Sequence, residues 1–219
     1  MNAKKKTLAA SKLYVILGPE DADRLGLGPE RLAEEAIRGG ADVVQWRDKR
    51  GGPDEIVRAA KAIAPVARKR GAIFIVNDSP EAAAAAGADG VHVGQDDLSI
   101  KEARAVMGPG RIVGRSTHSP EQALRAEKEG ADYIGFGPIF STPTKPDYRS
   151  TGLDAIRRVA REVRIPFFVI GGIDRSNIRE ALERGATRAA VVRAAVKGPE
   201  IRKAVSELKH ELEETIGGR

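Results

Sequence analysis

No cysteine occurs anywhere in the 219 residues, which excludes disulfides, thiolate metal centres and cysteine nucleophiles at once. Aromatic residues are only 4% of the chain and no stacking motif accompanies the basic residues, so the net charge of +6 does not read as a nucleic-acid surface. The bases are mixed with acids along the helices, and an anionic small substrate accounts for the positive excess. No apolar run approaches the ~18 residues that a membrane helix needs. The N-terminal stretch MNAKKKTLAAS has no apolar segment of the signal-peptide kind, so a cytoplasmic protein is expected. Asn and Gln are scarce, at three each, among abundant and interleaved Lys, Arg, Glu and Asp. That composition fits a hot environment.

What remains is an ordinary globular composition, 41% hydrophobic and 31% charged, at a length that suits one large α/β domain. Residues 1–11 read as a basic, frayed tail and 12–219 as a single domain. The stretch Ile73–Leu98 shows the plan. Ile73 to Val76 is an apolar, β-branched run of the buried parallel type, ending abruptly in Asn77-Asp78. Ser79-Pro80-Glu81 opens a helix with a cap, a first-turn proline and an acid at the positive helix end. Gly90 to Gly94 is the next strand, and Gln95-Asp96-Asp97 hangs off its end.

The same alternation gives strands from Leu13, Val43, Arg111, Tyr133, Pro166 and Ala189, and helices over 29–38, 54–70, 99–107, 120–129, 153–163, 175–184 and 200–214. Pro65 should kink the second of these helices. A weak repeat marks the helix-to-strand turns: Gly40-Ala41-Asp42, Gly87-Ala88-Asp89, Gly130-Ala131-Asp132 and Gly185-Ala186-Thr187. In each, Gly closes the helix and Ala permits a tight turn. Eight strands in strict alternation, without a GxGxxG after the first, favour a (β/α)8 TIM barrel over a doubly wound sheet.

A barrel places its site at the C-terminal strand ends. There the chain puts Gln45 to Lys49, Asn77-Asp78, Gln95 to Asp97, Arg115 to His118, Pro138 to Lys145, Gly171 to Ile173 and Arg193. No comparable polar cluster is expected at the N-terminal ends. Gln45, Arg47 and Lys49 alternate at period two and so share one strand face, where two cations could meet anionic oxygens. The acids closing two adjacent strands, Asp78 and Asp97, are either turn chemistry or the oxygen ligands of a magnesium ion, which prefers one or two carboxylates with substrate phosphates. Gly171-Gly172 suits backbone N–H groups turned toward a phosphate, over which Arg193 could close. The hydroxyl-rich loop through Thr142, Pro143, Thr144 and Lys145 is long enough for a lid or a binding loop. His118 lies near the rim, whereas His92, inside a strand, reads as packed and hydrogen-bonded.

Taken together, QWRDK at 45–49, ND at 77–78, GADGVHVGQDDL at 87–98, STH at 116–118, GADYIGFGPIFSTPTK at 130–145 and IGGI at 170–173 resemble the thiamine-phosphate synthase family. The likeness covers nearly the whole chain, in order. It implies a (β/α)8 barrel that joins 4-amino-5-hydroxymethyl-2-methylpyrimidine diphosphate to 4-methyl-5-(2-phosphoethyl)thiazole, releasing diphosphate with Mg2+. By that resemblance Gln45, Arg47, Lys49 and Asn77, with Trp46 and Asp48 beside them, hold the pyrimidine diphosphate. Asp78 and Asp97 hold the magnesium, and Ser116 touches the aminopyrimidine. Thr142, Pro143 and Thr144 meet the thiazole phosphate, Lys145 the diphosphate, and Gly172 with Val192 and Arg193 completes the thiazole-phosphate pocket. Arg47, Lys49 and Lys145 are the implied catalytic cations. Arg193 is a departure, since members of that family often carry Ser there.

The implied partners are the two small substrates, with a homodimer as the candidate assembly and neither nucleic acid nor membrane. The alternative is a thiazole tautomerase of the same fold without transferase activity. Gln45, Arg47, Lys49, Asp78 and Asp97, all present, favour the transferase.

Overall fold

The computed structural model describes residues 3–141 and 150–218. Eight short strands pair in parallel in chain order: β1 (Leu13–Leu17), β2 (Val43–Trp46), β3 (Ile73–Asn77), β4 (Gly90–Val93), β5 (Ile112–Thr117), β6 (Tyr133–Phe136), β7 (Phe167–Val169) and β8 (Ala189–Val191). β8 pairs back onto β1 and closes the sheet, with Tyr14 opposite Ala190. The expected (β/α)8 barrel is therefore the observed fold. β5 runs on to Thr117, past the Gly114 at which the sequence pattern stops, so Ser116 sits on a strand rather than in a loop.

The helices are α1 (Ala3–Ala10), α2 (Pro19–Leu25), α3 (Pro29–Arg38), α4 (Pro53–Arg70), α5 (Pro80–Ala85), α6 (Ile100–Met107), α7 (Pro120–Lys128), α8 (Asp154–Glu162), α9 (Ile178–Glu183), α10 (Arg193–Val196) and α11 (Ile201–Gly217). Local chemistry starts them. Ser79, Ser99 and Ser119 each accept a hydrogen bond from the backbone N–H three residues on, at 3.2 Å. Proline stands at the start of α2, α3, α4, α5 and α7. α4 continues through Pro65 as one helix. α2, absent from the sequence reading, is explained by Pro19, by Glu20 and Asp21 in its first turn, and by Gly26 closing it at φ 64°. Among the described residues no helix is long and apolar enough to cross a membrane.

Strand alternation divides the core into two layers. Leu13, Val15, Leu17, Val44, Trp46, Phe74, Val76, Val91 and Val93 face the helices, while Tyr14, Ile16, Val43, Ile73, Ile75, Ile112, Tyr133 and Phe168 fill the barrel interior. Leu8 belongs to the interior cluster, although it lies on α1. Residues 3–10, expected as part of a frayed tail, thus form a helix across the N-terminal end of the barrel. Leu8 is 1% exposed, and Lys4 and Lys5 pair with Asp89 and Asp132 at 3.1 and 2.5 Å. A basic run reads as solvated until the strands bring acids beneath it. Replacing Leu8 with Ala should lower unfolding stability by roughly 2–5 kcal/mol in a urea titration, with the barrel mouth and its ligand binding unchanged.

Those acids also overturn the expectation that the N-terminal strand ends lack a polar set. Asp42, Asp89 and Asp132, the third residues of the repeated Gly-Ala-Asp turns, each bond backbone N–H groups of the preceding strand. Asp42 accepts from Lys12 and Leu13 at 2.8 and 2.9 Å, Asp89 from Phe74 at 3.0 Å, and Asp132 from Val113 at 2.9 Å. Lys209 and Arg104 then pair with Asp42 and Asp132 at 2.6 and 2.9 Å. The repeated Asp is a strand cap, engaged within the protein and so occupied structurally.

Candidate active site

Above the interior layer the strand ends open on a cavity of about 1020 Å3. It is lined by Gln45, Arg47, Lys49, Asn77, Asp78, Asp97, Ser116, Gly172, Val192 and Arg193, so ten of the residues singled out in the sequence converge on one mouth. The pleat explains this, because inward positions on each strand continue upward into the mouth. Gln45 and Asn77 lie deepest, at 3% and 8% exposure.

Asp78 carries the chain out of β3 at φ 60°, a left-handed conformation that Asp tolerates better than most side chains. Its backbone N–H donates to the His92 carbonyl at 2.8 Å, which ties the end of β3 to β4. Its carboxylate pairs with Lys49 and stands within hydrogen-bond reach of Asp97. Asp97 in turn accepts from the Gly94 N–H at 2.6 Å. Arg115 donates to the Leu98 and Gln95 carbonyls at 2.9 and 3.2 Å, bracing the loop that holds Asp97. Burial first, then the hydrogen bond that its protonated form donates to Asp97, pushes the Asp78 carboxyl above its ordinary range despite Lys49. Burial also acts upward on Asp97, but the Asp78 and Gly94 hydrogen bonds, with Lys49 and Arg115 nearby, hold it below the ordinary range.

No group of three or more His, Asp or Glu able to cage a metal occurs among the described residues. Two facing carboxylates with open space beside them fit a hard ion that keeps waters and takes substrate oxygens, which is magnesium chemistry. Arg47 has no side-chain hydrogen-bond or ion-pair partner among the described residues, so its guanidinium is available to an anion in the cavity.

At the opposite side of the mouth Gly171 and Gly172 adopt φ 99° and 64°. A side chain on Gly171 would lie 2.4 Å from Pro138 Cα, and one on Gly172 2.8 Å from the Ser141 carbonyl oxygen. Both the conformation and the packing require glycine, and they leave backbone edging the cavity. Asn177 donates to the Gly172 carbonyl at 2.8 Å and accepts from the Asp174 N–H at 2.9 Å, pinning the turn. Val192 and Arg193 edge the same region from the end of β8.

Trp46 and Asp48 do not join the cavity. The alternation that turns Gln45, Arg47 and Lys49 inward sends these two outward, where they line a separate pocket of about 660 Å3 with Arg50 and Arg58. Thr142, Pro143, Thr144 and Lys145 lie outside the described residues. Sequence reasoning missed Arg175 and Lys197, which also line the mouth, and the tyrosines beneath it. Tyr14 offered a signal: a phenol inside the apolar strand LYVIL needs a partner for its hydroxyl when buried. His118, near the rim as expected, sets its Nδ1 against the Gly137 carbonyl.

A closed parallel barrel whose C-terminal mouth gathers cations, a carboxylate pair and a glycine turn defines an enzyme of phosphorylated small molecules. The sequence profile described as Thiamine monophosphate synthase matches residues 13–195. Thiamine-phosphate synthase of Shouchella clausii is 44% identical over 204 residues, covering 93% of this chain and 97% of that protein. The protein of the same name from Thermosynechococcus vestitus is 42% identical over 89% of this chain, which spans 54% of that relative's length. A solved structure, thiamine phosphate pyrophosphorylase from Pyrococcus furiosus, superposes with a TM-score of 0.86 at 38% identity, covering 95% of this chain and 98% of that one. The chain belongs to the thiamine monophosphate synthase family, a family of transferases.

Proposed function

We propose that this chain joins 4-amino-5-hydroxymethyl-2-methylpyrimidine diphosphate to 4-methyl-5-(2-phosphoethyl)thiazole, forming thiamine phosphate and releasing diphosphate. The observation that carries the reading is the single mouth that sets Arg47, Lys49, Asp78, Asp97 and the Gly171-Gly172 turn around one cavity of about 1020 Å3. That volume has room for two small ligands held side by side. The cation side takes the diphosphate and the glycine side the thiazole phosphate, which leaves Gln45, Asn77 and Ser116 for the pyrimidine between them.

The bond that breaks joins the pyrimidine methylene carbon to the diphosphate oxygen, and its electron pair leaves with the diphosphate. The thiazole ring nitrogen then attacks the methylene carbon of the pyrimidine cation with its lone pair, forming the new C–N bond. No side-chain nucleophile is needed. Arg47 and Lys49 stabilise the negative charge that gathers on the departing group, and Lys145 has the same assignment. Asp78 and Asp97 would hold a magnesium ion, which supplies further neutralisation of the diphosphate. Lys49, which pairs with Asp78, is placed to change partner when diphosphate arrives.

A cytoplasmic location and a homodimer complete the proposal. Its test is direct. Purified chain mixed with both substrates and Mg2+ should yield thiamine phosphate and diphosphate by mass spectrometry, each dependent on both substrates. Absence of the coupled product, with the thiazole merely isomerised, would replace this reading with the tautomerase.

A further inference from the structure

The barrel interior below the mouth is not wholly apolar. Gln45 Nε2 donates to Tyr14 Oη at 2.7 Å, and Tyr14 Oη lies 2.9 Å from Tyr133 Oη. Tyr133 Oη lies 3.0 Å from His92 Nδ1, and His92 Nε2 lies 2.9 Å from Ser116 Oγ. One unbroken chain of hydrogen bonds therefore runs inside the barrel from Gln45 to Ser116, and both ends line the cavity. The fold makes room for it. A side chain on Gly114 would stand 2.2 Å from Tyr133 Cζ, and Phe168 packs edge-on to both tyrosines with centroids 5.2 and 5.8 Å away. Tyr14 and Tyr133 are 2% and 1% exposed, and burial pushes both phenols above their ordinary range, so each keeps its single proton.

That single proton gives the chain a direction. An amide nitrogen only donates, so Tyr14 Oη accepts from Gln45 and passes its own proton toward Tyr133. Tyr133 then donates to His92 Nδ1. In the neutral imidazole the remaining proton is on Nε2, which donates to Ser116 Oγ. Ser116 has its own hydroxyl proton left for the cavity, and Gln45, with Nε2 turned to Tyr14, has its carbonyl oxygen left. Reversing either end reverses every link. The donor or acceptor character of two residues on different strands is thus tied together through two buried phenols and the half-buried His92, which also edges the cavity.

We propose that Tyr14, Tyr133 and His92 are positioning residues that set Ser116 as a hydrogen-bond donor and Gln45 as an acceptor toward the ligand. A heteroaromatic ring bearing an exocyclic amino donor and a ring-nitrogen acceptor is complementary to that pair, and a ring with the opposite pattern is not. The ligand part of this inference rests on the aminopyrimidine reading above, whereas the hydrogen-bond direction does not.

The test begins with nitrogen-15 NMR of the ligand-free protein near neutral pH, with His92 assigned among the three histidines by single substitutions. His92 should carry its proton on Nε2 and show Nδ1 as an acceptor; an Nδ1–H tautomer overturns the proposal. Tyr133→Phe should remove that preference. It should also weaken binding of the pyrimidine diphosphate about tenfold, the usual scale of one lost hydrogen bond. Binding of inorganic diphosphate with Mg2+ should stay as in the wild type. Equal losses for the two ligands, or an unchanged tautomer with unchanged affinity, would reduce the chain to packing and end the idea. Should Tyr133→Phe fail to fold, Tyr14→Phe carries the same comparison. Wild-type protein with the Nε2–H tautomer that binds diphosphate but gains nothing from the pyrimidine would sink the functional reading while leaving the hydrogen-bond direction intact.

Discussion

Asp78→Asn should remove magnesium-dependent turnover, by a hundredfold or more on the scale of one deleted electrostatic group in an active site. Asparagine is the informative replacement because residue 78 sits at φ 60°, a conformation that Asn accepts and that would strain Ala. The backbone is kept while one of the two facing carboxylates is neutralised. Initial rates measured against Mg2+ concentration give the check, and a variant within a few-fold of wild type at every concentration would show that Asp78 holds no metal.

The same substitution should not cost stability at neutral pH. The folded-state pKa of Asp78 is raised, with burial as the main cause. A raised carboxylate favours the fold most below its unfolded pKa, and that contribution is lost as pH rises through the folded value. At pH 7 the charge therefore works against folding, and Asp78→Asn should unfold at the same or a higher urea concentration. Lower activity without lower stability is what a site residue, as opposed to a scaffold residue, is expected to show.

Arg47→Ala should lower kcat/KM for the pyrimidine diphosphate roughly a hundredfold, corresponding to ~3 kcal/mol of lost transition-state stabilisation. Within the described residues this guanidinium has no partner to release, so truncation leaves the fold as it was and removes only what Arg47 offers to the ligand. Arg47→Lys retains the charge but not the planar fork, and it should recover part of the rate. Steady-state kinetics with each substrate varied in turn locates the effect. A loss confined to the thiazole phosphate would move Arg47 to the other half of the cavity.

Strand periodicity carried much of this site. The spacing of Gln45, Arg47 and Lys49 put three side chains on one face, and in the structure all three reach the cavity. The same rule read strictly would have sent Trp46 and Asp48 outward. Their inclusion came from treating QWRDK as a block rather than as a pleated strand. The Gly-Ala-Asp repeat was visible as a turn signal, but the role of its Asp was not. Each Asp caps the preceding strand, and no local pattern reveals a partner brought in by closure of the sheet.

What the sequence determined by itself was therefore local and periodic: eight helix–strand alternations, the strand ends carrying acids and cations, and the glycine turn after β7. These follow from side-chain period, capping and backbone freedom, all of which act over a few residues. The tertiary structure alone decided which charges remain available. It set Lys4 and Lys5 against Asp89 and Asp132, drew Lys49 to Asp78, left Arg47 facing the cavity, and joined Tyr14, Tyr133 and His92 from three strands into one hydrogen-bonded chain. Tyr14 and Tyr133 are 119 residues apart in the chain, and pairing at that distance depends on where the strands meet, which no window of sequence contains.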